Sequence, residues 1–178
     1  MSEIDYAAQL IEHMNMVVEV KRQCGAGESL TYLGLDDLIR REGRPFQPRP
    51  LPSCYSRRTP NQCFKNAYDM LLEDQNLRYV EGIATSGVLP VHHAWNIDEN
   101  DEVVETTWQW REDYRPQAYY GIVIPDDLVM TVVDATGYYG LTIDDWKNGW
   151  PAYRQPWNTN NLLHFYMMQI ETEMRKQA

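Results

Sequence analysis

Cysteine is scarce in this chain of 178 residues: three residues, Cys24, Cys54 and Cys63, irregularly spaced and with no CxxC pair. An odd set excludes a fully closed disulfide framework, because at least one thiol stays free or pairs with another chain. The missing CxxC spacing leaves a zinc site without support. Long apolar runs are also absent; none approaches the roughly 20 residues that a helix needs to cross a bilayer. The opening residues Met-Ser-Glu-Ile-Asp carry neither the basic nor the apolar region of a secretory signal. Positive charge is short as well, with 16 Lys and Arg against 26 Asp and Glu, a net charge of −10. A basic footprint for nucleic acid is therefore lacking. The expectation is a soluble protein of a reducing cytoplasm, with no metal, no organic cofactor, no nucleic acid and no membrane. Oligomeric state stays open.

What the chain has in quantity is aromatic surface: twelve Tyr and six Trp, within an apolar content of 43%. A disordered chain lacks such residues, and this length supports one well-buried core. Apolar periodicity predicts helices over 3–22, Leu35–Arg41, Cys63–Leu72, Pro125–Tyr139 and Asn160–Arg175. Thr142-Ile143-Asp144-Asp145 has the pattern of a further helix start. Strand-like runs fall at Tyr79–Ala84, Val91–Ile97, Val103–Trp108 and Tyr119–Ile124. Five of the ten prolines lie between Arg44 and Pro60, which reads as an extended connector. The division is a helical segment 1–43, a Pro-rich connector 44–60 and a core 61–178 that includes the C-terminal helices, all in one compact domain. Helices around a run of strands indicate α+β with an antiparallel sheet.

Three motifs, taken in order, carry chemistry. Asn61-Gln62-Cys63-Phe64 opens a helical run, His93-Ala94-Trp95 lies in a strand, and Glu105-Thr106-Thr107-Trp108 lies in the next. A sulfur nucleophile, an imidazole base and a carboxylate to orient it are the parts of a triad. Taken alone, Cys63 also fits a small buried hydrophobe, as most free cysteines do. A helix N-terminus or an imidazolium lowers a thiol from about 8.5 to about 3.5–7.5. If Thr59 caps the helix in a capping box, the Cys63 amide bonds the Thr59 carbonyl. If Asn61 is the cap, Cys63 sits at the second helical position with its N–H free for an oxyanion. Thiol chemistry favours Asn61, with Gln62 and Asn61 as side-chain oxyanion candidates beside that amide.

The polar residues Asp98 to Asp101 predict a hairpin between the second and third motifs. A three-residue loop pairs Ile97 with Asp101 and sets His93 opposite Glu105; a four-residue loop turns Glu105 to the other face. Trp95 shares the His93 face and is a candidate wall of a substrate cleft. His92 points the other way, as a solvent or packing histidine. Trp108, Trp110, Tyr119 and Tyr120 suit either a groove or the core, and for Trp146, Trp150 and Trp157 the core is the commoner role. Asp126, Asp127, Asp134, Asp144 and Asp145 read as helix-terminal or surface acids.

These motifs resemble the transglutaminase-like branch of the papain-like cysteine protease superfamily. Its members carry a Gly-Gln-Cys-Trp-type helix start, His-Ala-Trp on a strand, and Asp-Pro-Thr or similar on the next. The resemblance covers roughly residues 60 to 125, with Glu105 in place of aspartate and Asn61 in place of glycine. It implies a nucleophile helix packed on an antiparallel sheet, with added N- and C-terminal helices. It also implies a cysteine-dependent hydrolase or acyltransferase (peptidase, deamidase or transglutaminase-type) acting on amides of a protein or peptide. Cys63 attacks, His93 moves the proton and Glu105 holds the imidazole. The alternative on the same fold is an inactive protein-binding or regulatory module.

Overall fold

The structure, a computed structural model, describes residues 5–25, 29–85, 89–108 and 118–177. Helix α1 (Tyr6–Gln23) starts where the Asp5 carboxylate accepts the Ala8 amide at 3.0 Å, and it buries Leu10, Met14 and Val18 at four-residue spacing. Helix α2 (Leu35–Glu42) has Asp36 and Asp37 in its first turn and Arg40 and Arg41 in its last, which suits the helix dipole. Its Leu38 and Ile39 are fully buried. Each aliphatic side chain buried in this way stabilises the fold by about 1.5–3 kcal/mol.

The Pro-rich segment begins as an edge strand. Residues Arg44–Phe46 form β1, which pairs antiparallel with β5 (Ala118–Ile124) and sets Pro45 opposite Tyr120. Proline is tolerated there because an edge strand needs fewer ladder donors. With β2 (Arg78–Thr85), β3 (Val91–Ile97) and β4 (Val103–Val104), the sheet runs β1-β5-β2-β3-β4, antiparallel throughout.

This sheet curls until its two edges meet. Gln47, just past β1, bridges Glu102, just before β4. The Arg49 guanidinium ties the seam, donating to the Val103 carbonyl at 3.0 Å, to Asp98 at 2.6 Å and to Glu102. Phe46, Val80, Ala84, Trp95, Ile97, Val103 and Tyr119 fill the enclosed side. Tyr79, Ile83, Ala94, Ile122 and Ile124 take the other side, where helices pack. Tight curling needs close backbone approach. Gly82 faces Gly121 across β2 and β5, and a Cβ on Gly121 would sit 2.7 Å from the Trp95 ring.

Helices α3 (Cys63–Glu73), α4 (Asp126–Thr136) and α5 (Thr159–Gln177) complete the outer layer. Leu10, Leu38, Ala67, Leu128 and Leu162, one from each helix, share a single apolar cluster with the sheet. The α+β class with an antiparallel sheet agrees with the sequence expectation. No described helix is long and apolar enough to cross a membrane.

Three expectations fail locally. The hairpin loop holds five residues, so Ile97 pairs with Val103 and Asn96 with Val104. Asp98 explains the extra length, since its carboxylate accepts both the Asn100 and Glu102 amides, at 2.9 and 3.0 Å. Thr142-Ile143-Asp144-Asp145 starts no helix; Asp145 is fully buried and accepts the Asn148 amide at 3.1 Å and the Tyr166 hydroxyl at 2.8 Å. Trp146 and Trp150 are 60% and 41% exposed, outside the core.

Candidate active site

Cys63 is the first residue of α3, its N-cap is Gln62, and Asn61 before it has a left-handed backbone with φ 62°. Both anticipated registers are therefore wrong. Asparagine is one of the few non-glycine residues that visit this conformation readily, and the turn it makes prevents an earlier helix start. The first bond of the helix runs from the Asn66 N–H to the Gln62 carbonyl at 2.8 Å. The amides of Cys63, Phe64 and Lys65 thus have no partner within the helix. Asn61 and Gln62 are exposed, and the Gln62 side chain makes no capping bond.

The thiol sits at a notch in the sheet. β4 pairs with β3 only at Asn96 and Ile97, which leaves the β3 edge open at Ala94. There the Cys63 sulfur meets the Ala94 backbone and the Phe64 backbone of its own helix, both of which favour its charged form. His93 acts on this sulfur too, and favours its charged form. Its Nε2 lies 2.6 Å from Glu105 Oε2, so Nδ1 is the nitrogen left for Cys63.

Glu105 reaches His93 by a route the sequence did not suggest. In the observed register it falls opposite Trp95, diagonal to His93, and the chain leaves the sheet at that point. The bend over 106–108 folds back, and Glu105 Oε1 accepts the Thr107 and Trp108 amides at 2.6 and 2.9 Å. Oε2 takes the Tyr119 hydroxyl at 3.3 Å besides His93. The Trp108 ring stacks on the imidazole, 3.9 Å between centroids at 18°. His93 and Glu105 are 1% and 3% exposed.

Burial and pairing compete at each group. Burial pushes the Cys63 thiol up, but the hydrogen bond and charge of His93, with the Ala94 and Phe64 amides, bring it below its ordinary value. Burial pulls His93 down, and the Glu105 charge with the Cys63 and Glu105 hydrogen bonds raises it to about 9. Burial raises Glu105, and the His93 charge and the two backbone donors overcome that and hold it low. Each member favours the charged form of its neighbour, which is the arrangement a thiolate–imidazolium pair requires.

The other sequence-named residues divide. Trp95 is 1% exposed inside the curled sheet, its ring 6.2 Å from His93 and its Nε1 without a hydrogen-bond partner among the described residues. It packs behind the imidazole and walls no open cleft. Trp110 lies outside the described residues. His92 packs edge-on against Phe64 at 4.7 Å, as a packing histidine does. Among the described residues no group of three His, Cys, Asp or Glu is placed to hold a metal ion. Sequence reasoning missed Asn66, a buried amide on α3 bonded to Thr59 and Thr107. Its one signal was a polar residue beside Ala67 on the apolar face. No family model, curated protein or solved structure matches this chain.

Proposed function

We propose that the protein is a cysteine-dependent hydrolase or acyltransferase acting on amide bonds of a protein or peptide, of the transglutaminase-like, papain-like kind. The observation that carries this reading is the buried His93 held between the Cys63 sulfur and a carboxylate with three further donors. A histidine that only packed would not need that collection of partners.

The Cys63 thiolate attacks the acyl carbon and forms a C–S bond, and the carbonyl electrons move to oxygen. The Cys63 and Lys65 amides at the start of α3, which have no carbonyl partner within the helix, are donors of the type that stabilises such an oxyanion. Collapse breaks the C–N bond, and His93 gives its proton to the departing amine. Water or an amine then attacks the thioester, His93 takes the proton from it, and the thiolate leaves. Glu105 keeps the imidazole in the tautomer and orientation both halves need. All three cysteines are free thiols, which suits a reducing cytoplasm.

The test is the rate of Cys63 alkylation by iodoacetamide across pH, with Cys24 and Cys54 replaced by Ser, in that background and with His93→Ala. The expected result is a thiolate pKa below the ordinary cysteine value that rises when the imidazole is removed. A value near the ordinary 8.5 in both proteins would sink the enzyme reading and favour the binding module.

A further inference from the structure

We infer that Asn66 is a positioning residue that couples the carboxylate end of the triad to the helix presenting the nucleophile. This rests on the triad reading above. Asn66 is 3% exposed and lies one turn after Cys63 on α3. Its Nδ2 donates to the Thr59 carbonyl at 2.7 Å and to Thr107 Oγ1 at 2.9 Å, so both amide protons are used. The Thr107 N–H donates in turn to Glu105 Oε1 at 2.6 Å. The result is an unbroken path of hydrogen bonds from the first turns of α3 to the carboxylate that holds His93.

Glu105 needs such a device because the sheet does not hold it. β4 ends at Val104, and the bend that follows has no ladder partner in the sheet. The bend is instead joined to the segment leading into α3. The Arg57 guanidinium donates to the Glu105 carbonyl at 3.2 Å, and the Arg58 N–H donates to the Thr106 carbonyl at 2.9 Å. Asn66 closes this seam from the helix side, touching both strips at once. A buried amide beside Ala67 contributes little to apolar packing, and an alanine or leucine would serve that purpose at no polar cost. What the amide supplies is register between Cys63 and Glu105. Displacements of about 1 Å at a reacting constellation have large effects on rate.

The experiment follows Cys63 alkylation against pH in the Cys24→Ser, Cys54→Ser background, with a urea unfolding curve for every variant. The variants are Asn66→Ala, Thr107→Val, the two combined, and His93→Ala. Asn66→Ala is expected to raise the thiolate pKa by about one unit and to slow alkylation at pH 6 about tenfold. Thr107→Val removes only the hydroxyl and keeps the amide on Glu105, so its rise is smaller and in the same direction. The combined variant rises no further than Asn66→Ala alone, because both changes cut one path. A lower urea midpoint with an unmoved pKa in both single variants, while His93→Ala does shift it, marks a merely structural asparagine and overturns the inference alone. An unmoved pKa in His93→Ala overturns the triad reading and this inference with it. If Asn66→Ala does not fold, Thr107→Val decides by the same criterion.

Discussion

His92 and His93 are neighbours on β3 and meet two glutamates in opposite ways. On the enclosed side, His93 Nε2 and Glu105 Oε2 are 2.6 Å apart, and Glu105 accepts three more hydrogen bonds. On the helix-covered side, His92 Nε2 and Glu81 Oε2 are 3.6 Å apart, and neither atom has a hydrogen-bond partner among the described residues. Glu81 is fully buried, with only its Oε1 taking the Tyr79 hydroxyl at 3.0 Å. Both faces thus hold the same pair of residue types. The backbone separates them: Glu105 lies on a bend whose amides turn inward, whereas Glu81 lies mid-strand, where its amides belong to the ladder. An imidazole becomes a useful base where the surroundings satisfy its carboxylate, and composition alone does not achieve that.

The largest effect should come from removing the satisfied carboxylate. Glu105→Ala takes the acceptor away from the His93 imidazole and from the Thr107 and Trp108 amides in a buried site. Urea unfolding at pH 6 should show a loss of about 3–5 kcal/mol, the range for breaking one side of a buried pair. Glu81→Gln should stay within about 1 kcal/mol of wild type, because it replaces an oxygen that has no hydrogen-bond partner among the described residues and keeps the acceptor for Tyr79. Equal losses in the two variants would erase the contrast between the faces.

Next comes pH. His93 is raised from 6.5 to about 9, so its contribution to stability is complete below about 6.5 and disappears as pH climbs through about 9. Glu105 is lowered from 4.5, so its contribution is complete above about 4.5 and disappears on acidification through the lower value. The stability difference between wild type and Glu105→Gln should therefore be flat between about pH 4.5 and 6.5 and shrink toward pH 9. A urea series across that range checks it, and a difference independent of pH would mean that the pair carries no charge.

The contrast also shows what a sequence reader can see. Cys63 and His93 were legible because each sits in a short motif whose element type is strongly patterned; Glu105 was legible as a residue, but the strand expected over Val103–Trp108 ends at Val104 and leaves it on a bend. Their meeting was anticipated through a three-residue hairpin that does not exist, and it happens through a bend stabilised by Glu105 itself. Side-chain acceptance of backbone amides, by Asp98 in the loop and by Glu105 after it, set the local path. No periodicity encodes those bonds. Glu81 did leave a trace, as a lone acid inside the apolar run Tyr79–Ala84. The α+β class was readable from alternating and helical patterns, but the closure of the sheet was not. It depends on Gln47 meeting Glu102, 55 positions later in the chain, and on a Gly82–Gly121 pair that becomes significant only once the strands are aligned.

The smallest expected effect belongs to His92→Phe. The imidazole packs edge-on against Phe64 at 67°, and its side chain is 20% exposed. A phenyl ring keeps that contact and removes a nitrogen that has no hydrogen-bond partner among the described residues. Stability should change by no more than about 0.5 kcal/mol, and the Cys63 alkylation profile should overlay that of wild type. The variant nevertheless carries weight, because the Phe64 backbone favours the charged form of the Cys63 sulfur and His92 lies against the Phe64 ring. A raised thiolate pKa in His92→Phe would mean that the helix-covered face also sets the state of the nucleophile. The two histidines would then act on one sulfur from both sides of β3, one directly and the other by holding the residue whose backbone lies beside it.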